Sequence, residues 1–228
     1  MPLRVVLLGP PASGKGTQGR RLADAAGIDY LSTGALLREA IENETPLGRE
    51  VKPILDRGAY VPDELMCPIL GEWLDLHPDG WVLDGFPRSL PQAEFLDGWL
   101  AAHDLSLDRV IILEVPLDEL LRRISGRVEC PECRWTGQAS QLGQDQRCPL
   151  CHGAVGRRED DTEENFQSRH AAYLRYTLPL IGYYNSSSRL IHCDATAAVD
   201  GRALAGLGTL GLVRRRAIAT VPVTVEYS

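Results

Sequence analysis

Gly9-Pro10-Pro11-Ala12-Ser13-Gly14-Lys15-Gly16-Thr17 decides the fold. The stretch follows a continuous apolar run at 3–8, which suits a strand buried on both faces of a parallel sheet. It opens into a segment at 15–26 that reads as a helix. A glycine-rich turn between strand and helix is the setting of a phosphate-binding P-loop. Backbone N–H groups in such a turn, with the positive end of the helix dipole, cradle phosphate oxygens. Lys15 adds a point charge on the β/γ side, and Thr17 a hydroxyl near magnesium. The strict signature has Ser or Thr directly after the lysine, whereas here Gly16 intervenes.

Outward from the loop, short apolar strands alternate with helices. Strands are expected at 28–31, 81–83, 109–115 and 190–193. Helices are expected at 35–41, 48–55, 62–76, 91–102, 117–124, 163–184 and 201–213. Ser32 and Thr33 are candidate helix caps. Pro62 fits a first helical turn, while Pro53 is expected to disturb its helix and Pro68 to kink its own. The alternation implies an α/β fold, a parallel sheet flanked by helices on both faces. The tail at 214–228 alternates Val221, Val223 and Val225 and suggests no role.

The 228 residues, 44% of them apolar, suffice for one substantial core with small insertions. A net charge of -7 argues against broad nucleic-acid binding, which leaves a basic footprint. No apolar run approaches the roughly 18 residues of a membrane helix, and the first residues lack a basic leader. A cytoplasmic protein with no membrane partner is expected. Lys15 and Lys52 are the only lysines, all other basic residues being arginine, so a lysine inside a glycine-rich loop stands out.

Cysteines fall into two classes. Cys67 and Cys193 stand alone in apolar stretches and read as small core residues. Cys130-Pro-Glu-Cys133 and Cys148-Pro-Leu-Cys151 are two metal knuckles, whose four thiolates satisfy one tetrahedral ion. Structural Zn2+ is the leading occupant; tetrathiolate iron uses the same ligands, and a redox dithiol is disfavoured by the paired spacing. His152 follows a shell that four sulfurs already fill.

GPPASGKGTQ, Ser32-Thr33-Gly34 with Arg38, and Asp84-Gly85-Phe86-Pro87-Arg88 with Gln92 together resemble the adenylate kinases. The resemblance continues through Gly126-Arg127, Arg158 with Asp160-Asp161, Arg169, and Pro179-Leu180-Ile181-Gly182-Tyr183-Tyr184. It implies the P-loop nucleoside monophosphate kinase fold, with Mg2+-ATP + AMP exchanged for two ADP. By resemblance Arg38 and Arg88 hold the AMP phosphate, while Arg123, Arg127, Arg158 and Arg169 close over the ATP phosphates and the moving group. Arg158 and Arg169 also reach the AMP side. Thr33, Leu37, Val61, Gly85 and Gln92 resemble an AMP pocket, in which a side-chain amide pairs with an adenine edge. Asp84, ending a buried strand across from the P-loop, suits a magnesium-water ligand.

The implied organisation is a core at 1–32, 63–126 and 159–228, an AMP-binding insertion at 33–62 and a zinc-binding lid at 127–158. A monomer is expected. Three positions depart from the family's habit. Ala12 replaces a common glycine, so a left-handed backbone there is strained by its Cβ. Ala35 stands for a frequent aspartate and Ala195 for a frequent glycine near the ATP adenine. The rival readings are a kinase for UMP, CMP or GMP, and a zinc-ribbon nucleic-acid module; Gln92 and the long lid favour AMP over the first, and the acidic charge counts against the second.

Overall fold

The computed structural model describes residues 3–185 and 189–196. The expected helix at 201–213 and the tail at 214–228 lie outside the described residues. Five parallel strands form the central sheet: β1 (Arg4–Leu8), β2 (Asp29–Ser32), β3 (Trp81–Asp84), β4 (Arg109–Glu114) and β7 (Leu190–Asp194), in the order β2-β3-β1-β4-β7. An antiparallel pair, β5 (Arg127–Glu129) and β6 (Thr136–Gln138), lies apart from it.

Along β1 the side chains alternate between two cores, as the period of two in a strand requires. Val6 and Leu8 join Leu83, Ile112, Leu70, Leu96 and Leu180 on one face; Val5 and Leu7 join Val82, Ile111, Leu113 and Leu22 on the other. Helices α4 (Asp63–Leu76), α5 (Leu90–Ala102) and α8 (Leu180–Asn185) cover the first face, and α1 (Lys15–Ala26) packs on the second. Truncating one of these fully buried leucines to alanine costs roughly 2–5 kcal/mol. Helices α2 (Thr33–Glu42) and α3 (Pro46–Leu55) form a separate pair above the sheet, and α6 (Leu117–Ser125) and α7 (Glu163–Ala172) flank the antiparallel pair. Ser32, Thr45, Ser89 and Thr162 cap α2, α3, α5 and α7 by accepting from a backbone N–H three residues on, each contributing about 1 kcal/mol.

Pro62 precedes α4 as its cap instead of entering the first turn, and its carbonyl accepts from Leu65 and Met66. Pro53 and Pro68 sit inside unbroken helices. Both are exposed, so water satisfies the carbonyl one turn back that each leaves free. The continuous helix expected at 163–184 is interrupted: after α7 the backbone widens into a π turn at Tyr173–Thr177, and α8 starts only beyond Pro179. Pro179 has no N–H for the widened ladder, which ends there in turns closed by Ile181 and Gly182.

Candidate active site

The strand order reverses at β1, whose neighbours β3 and β4 lead the chain to opposite sides of the sheet. Ligands of open α/β sheets bind at the carboxyl ends of strands at such a point. A cleft of about 670 Å³ lies there, lined by the P-loop, the start of α2, the end of β3, α5 and the antiparallel hairpin.

Two glycines of the P-loop leave its backbone open to an occupant. Gly9 has φ +148, and a Cβ there would lie 2.9 Å from the Leu113 carbonyl. Gly14 caps α1 at φ 95 with no side-chain bond to the first turn, so the N–H groups of that turn remain for an anion. Ala12 does adopt the left-handed region, at φ 62, and bears the strain its sequence implied. Lys15 Nζ donates back to the carbonyls of Gly9 and Pro10, both at 2.8 Å. Burial pushes its pKa down to about 8; Asp84 opposes this, and Arg88 and Arg127 add to it.

Asp84 is buried beneath the loop, and a Cβ on Gly16 would stand 3.6 Å from its Oδ2. The Tyr30 hydroxyl donates to that oxygen at 2.9 Å. Burial and the Asp84 charge hold the Tyr30 phenol strongly above its ordinary pKa, so it stays a donor. A carboxylate and the Thr17 hydroxyl lining one cleft are hard oxygen donors that fit magnesium.

Arginines face one another across the cleft, each tied to a carboxylate. Arg127 pairs with Asp161 and Arg158 with Glu129, while Arg169 donates to Asp160 at 2.7 Å. Arg158 also donates to Thr136 Oγ1 at 3.2 Å. Burial lowers the pKa values of Arg38 and Arg158, and nearby arginines lower them further; Asp160 and Asp161 pull the other way. This charge balance keeps a ring of guanidinium groups in place until phosphate arrives. On the α2 side, the Thr33 hydroxyl donates to the Gly85 carbonyl at 3.0 Å, and Arg88 Nε to the same carbonyl at 2.8 Å. Gly85 has φ +87, and a Cβ there would lie 2.6 Å from Thr33 Oγ1, so the close approach requires glycine. Arg88 lies over the Tyr60 ring at 4.7 Å.

An adenylate kinase family model matches residues 7–189. The chain is 39% identical over 204 residues to an adenylate kinase of Clostridium perfringens (strain 13 / Type A), covering 88% of this chain and 94% of that one. It is 40% identical over 205 residues to one of Finegoldia magna (strain ATCC 29328 / DSM 20472 / WAL 2508), covering 87% and 94%. The chain belongs to the adenylate kinase family. Its reaction is that of these enzymes, a nucleoside monophosphate kinase moving a phosphoryl group between ATP and AMP.

Most of the adenylate kinase residues read from the sequence line this one cleft: the loop from Gly9 to Thr17 except Pro10, then Thr33, Leu37, Arg38, Val61, Asp84, Gly85, Arg88, Gln92, Arg123, Arg127, Arg158 and Arg169. Pro10 instead borders a second, shallow apolar cavity behind the loop with Leu113 and Tyr173. Arg123 is fully engaged within the adenylate kinase fold. It donates from Nε to Glu119 at 2.6 Å, from Nη1 to the Ser13 carbonyl at 3.3 Å and from Nη2 to the Ala195 carbonyl at 2.7 Å. It therefore braces the P-loop against the end of β7. The Ala195 departure is harmless to this brace, since only its carbonyl takes part.

The four cysteine sulfurs lie within 4.8 Å of one another, with Cys130–Cys151 at 3.5 Å and Cys133–Cys148 at 3.4 Å. A tetrahedral zinc with bonds of about 2.3 Å spaces its sulfurs by about 3.8 Å. The two knuckles match: Arg134 N–H closes on the Cys130 carbonyl at 2.9 Å and His152 N–H on the Cys148 carbonyl at 3.0 Å, both residues with φ 60. Burial opposes ionisation of Cys148, yet the N–H groups of Cys151 and Leu150 bring its thiol down to about 7. The donor set fits a tetrathiolate metal.

Sequence reasoning missed Tyr30, Tyr60, Asp63, Glu129, Thr136 and Thr177. Thr177 holds the Arg88 carbonyl at 2.9 Å from within the π turn. No local motif marks them, since each meets its partner far along the chain.

Proposed function

We propose that the residues lining the cleft divide between two nucleotides. The P-loop with Lys15 and Thr17 takes the ATP phosphates, and Arg38, Arg88, Thr33, Leu37, Val61, Gly85 and Gln92 take AMP. The observation that carries this reading is the convergence of Lys15, Arg88, Arg127, Arg158 and Arg169 on one cavity. An AMP phosphate oxygen bonds to the γ-phosphorus as the bond from that phosphorus to the β–γ bridging oxygen breaks, leaving two ADP. Repulsion between the two phosphate chains opposes this approach, and the guanidinium ring offsets it. Arg127, Arg158 and Arg169 exchange their carboxylates for phosphate oxygens, which accept the same bidentate fork. Gln92 turns its remaining hydrogen-bonding capacity to the adenine.

Asp84 and Thr17 would hold magnesium, which would supply charge neutralisation for the phosphates in transfer. Cys130, Cys133, Cys148 and Cys151 hold a structural zinc that stiffens a lid at 127–158, too small to build its own core. The core then comprises 1–32, 63–126 and 159–228, and the AMP insertion 33–62. We infer a cytoplasmic monomer without membrane partners, and the acidic charge speaks against a nucleic-acid partner. No helix among the described residues is long and apolar enough to cross a membrane.

Two-substrate kinetics test the division. Arg88→Ala is expected to raise the KM for AMP at least tenfold with little change for ATP, and Arg127→Ala to impair ATP binding and transfer. The same pattern in both variants would sink the assignment. Lysine is expected to rescue neither fully, because it lacks the fork.

A further inference from the structure

We propose that Asp63 sets the base specificity of the enzyme by fixing the orientation of the Gln92 amide; this rests on the reading of Gln92 as a contact for the AMP base. Asp63 is the first residue of α4, half-buried, and does not line the cleft. Its Oδ1 accepts from Gln92 Nε2 at 2.6 Å and its Oδ2 from the Ser89 hydroxyl at 2.8 Å. On the opposite side, the backbone N–H of Arg88 donates to Gln92 Oε1 at 2.7 Å. Gln92 itself is buried and borders the cleft.

The two ends of an amide have nearly the same shape, so only their partners decide which way it faces. A carboxylate is purely an acceptor and demands the –NH2 end. An N–H demands the oxygen. After these two bonds the amide keeps one N–H and one lone pair, in an order it cannot reverse. Adenine presents an N–H2 donor at its 6-position beside a ring-nitrogen acceptor, the partner of a fixed amide. Hypoxanthine and guanine carry an oxygen at that position, and it would meet the amide oxygen lone pair to lone pair. A free amide turns over and greets that oxygen with its N–H. Discrimination therefore comes from denying the turn, and the charged acceptor makes the denial firm. Asp63 touches no substrate; it is a positioning residue.

The test measures kcat/KM for AMP and for IMP with ATP as donor; IMP changes the 6-position without adding a 2-amino group. Asp63→Ala is expected to lower the AMP/IMP ratio about tenfold, the effect of losing one charge-assisted hydrogen bond. The loss is expected in KM, with kcat at saturating AMP reduced less than threefold. Ser89→Ala breaks the other bond of the carboxylate and the cap bond from the Gln92 backbone N–H, but neither bond of the Gln92 amide, and is expected to leave the ratio within about twofold of wild type. A merely structural tie between α4 and α5 would be weakened by both variants alike, so equal losses overturn the proposal. Asp63→Leu fills similar space without any acceptor for the Gln92 amide, and serves if the alanine variant does not fold. A wild-type ratio in whichever of the two folds also overturns the proposal. Gln92→Ala separates the readings. A lowered ratio there with unchanged Asp63 variants leaves the AMP-site reading standing and removes Asp63, whereas an unchanged ratio in Gln92→Ala removes both.

Discussion

Lys15 carries opposite demands at the scale of a single residue. Burial in the loop lowers its pKa to about 8, and its ammonium bonds neutral oxygens, the carbonyls of Gly9 and Pro10 and the Ser13 hydroxyl. The folded value lies below the ordinary 10.5, so between these two values the unfolded chain binds the extra proton. Folding stability therefore rises with pH across that window, while phosphate binding falls. Bound ATP pulls the pKa back up. The expected outcome is a kcat/KM for ATP that drops about tenfold per pH unit above about 8, with kcat holding to higher pH. A pH profile of both parameters checks it; a kcat/KM flat to about pH 10 would contradict it. Lys15→Ala is expected to cut ADP formation by about two orders of magnitude or more without lowering the melting temperature. The lysine was legible in the sequence because its motif is local, and so was the strain at Ala12. Tyr30 was not: it meets Asp84 across 54 residues, through the pairing of β2 with β3.

Elements inherit what the residues can supply. The strands were legible as apolar runs, since both faces of a parallel sheet are covered; their ends shifted by a residue because the ladder extends into polar Ser32 and Asp84. The π turn was not legible: nothing in Tyr173–Thr177 forbids an ordinary helix, and its width follows tertiary contacts made by Thr177. The cysteine hairpin was legible from spacing alone. It has little else to hold it: β5 and β6 pair over three residues each, and Val128 is its one buried aliphatic side chain among the described residues. In the proposed reading a metal supplies the missing core. Replacing Cys130 and Cys133 by Ser is expected to release about one equivalent of zinc and lower the melting temperature by several degrees. Substantial activity is expected to remain at low temperature, where the hairpin still carries Arg127 and Arg158 part of the time. Metal content, melting and turnover on one sample check this; an intact fold with no turnover until zinc is restored would make the metal catalytic.

At the scale of the whole molecule, the two segments proposed as insertions touch. Arg134, in the first cysteine knuckle, grips Glu42 at the end of α2 with both guanidinium nitrogens, at 3.1 and 2.6 Å, across 92 residues of chain. The contact ties the segment proposed as the lid to the end of α2, and no local pattern in the sequence announces it. The hydrogen bond from Arg134 lowers the Glu42 pKa below its ordinary value. The contribution to closure is therefore present above the ordinary carboxylate pKa and is lost only as pH falls through the depressed one. Glu42 is half in solvent, so the pair contributes about 0.2–1 kcal/mol, not more. That is enough to shift an open–closed equilibrium by roughly 1.4- to fivefold. Glu42→Gln is expected to raise the KM for both ATP and AMP by such a factor without lowering kcat, because the latch touches neither substrate. Salt near 1 M, where screening reaches about 3 Å, is expected to bring the wild type to the level of the variant. The charge swap, Glu42→Arg with Arg134→Glu, is expected to recover most of what each change loses alone. Losses that simply add in the swap would mean that the contact carries no coupling, and that closure rests on the nucleotides alone.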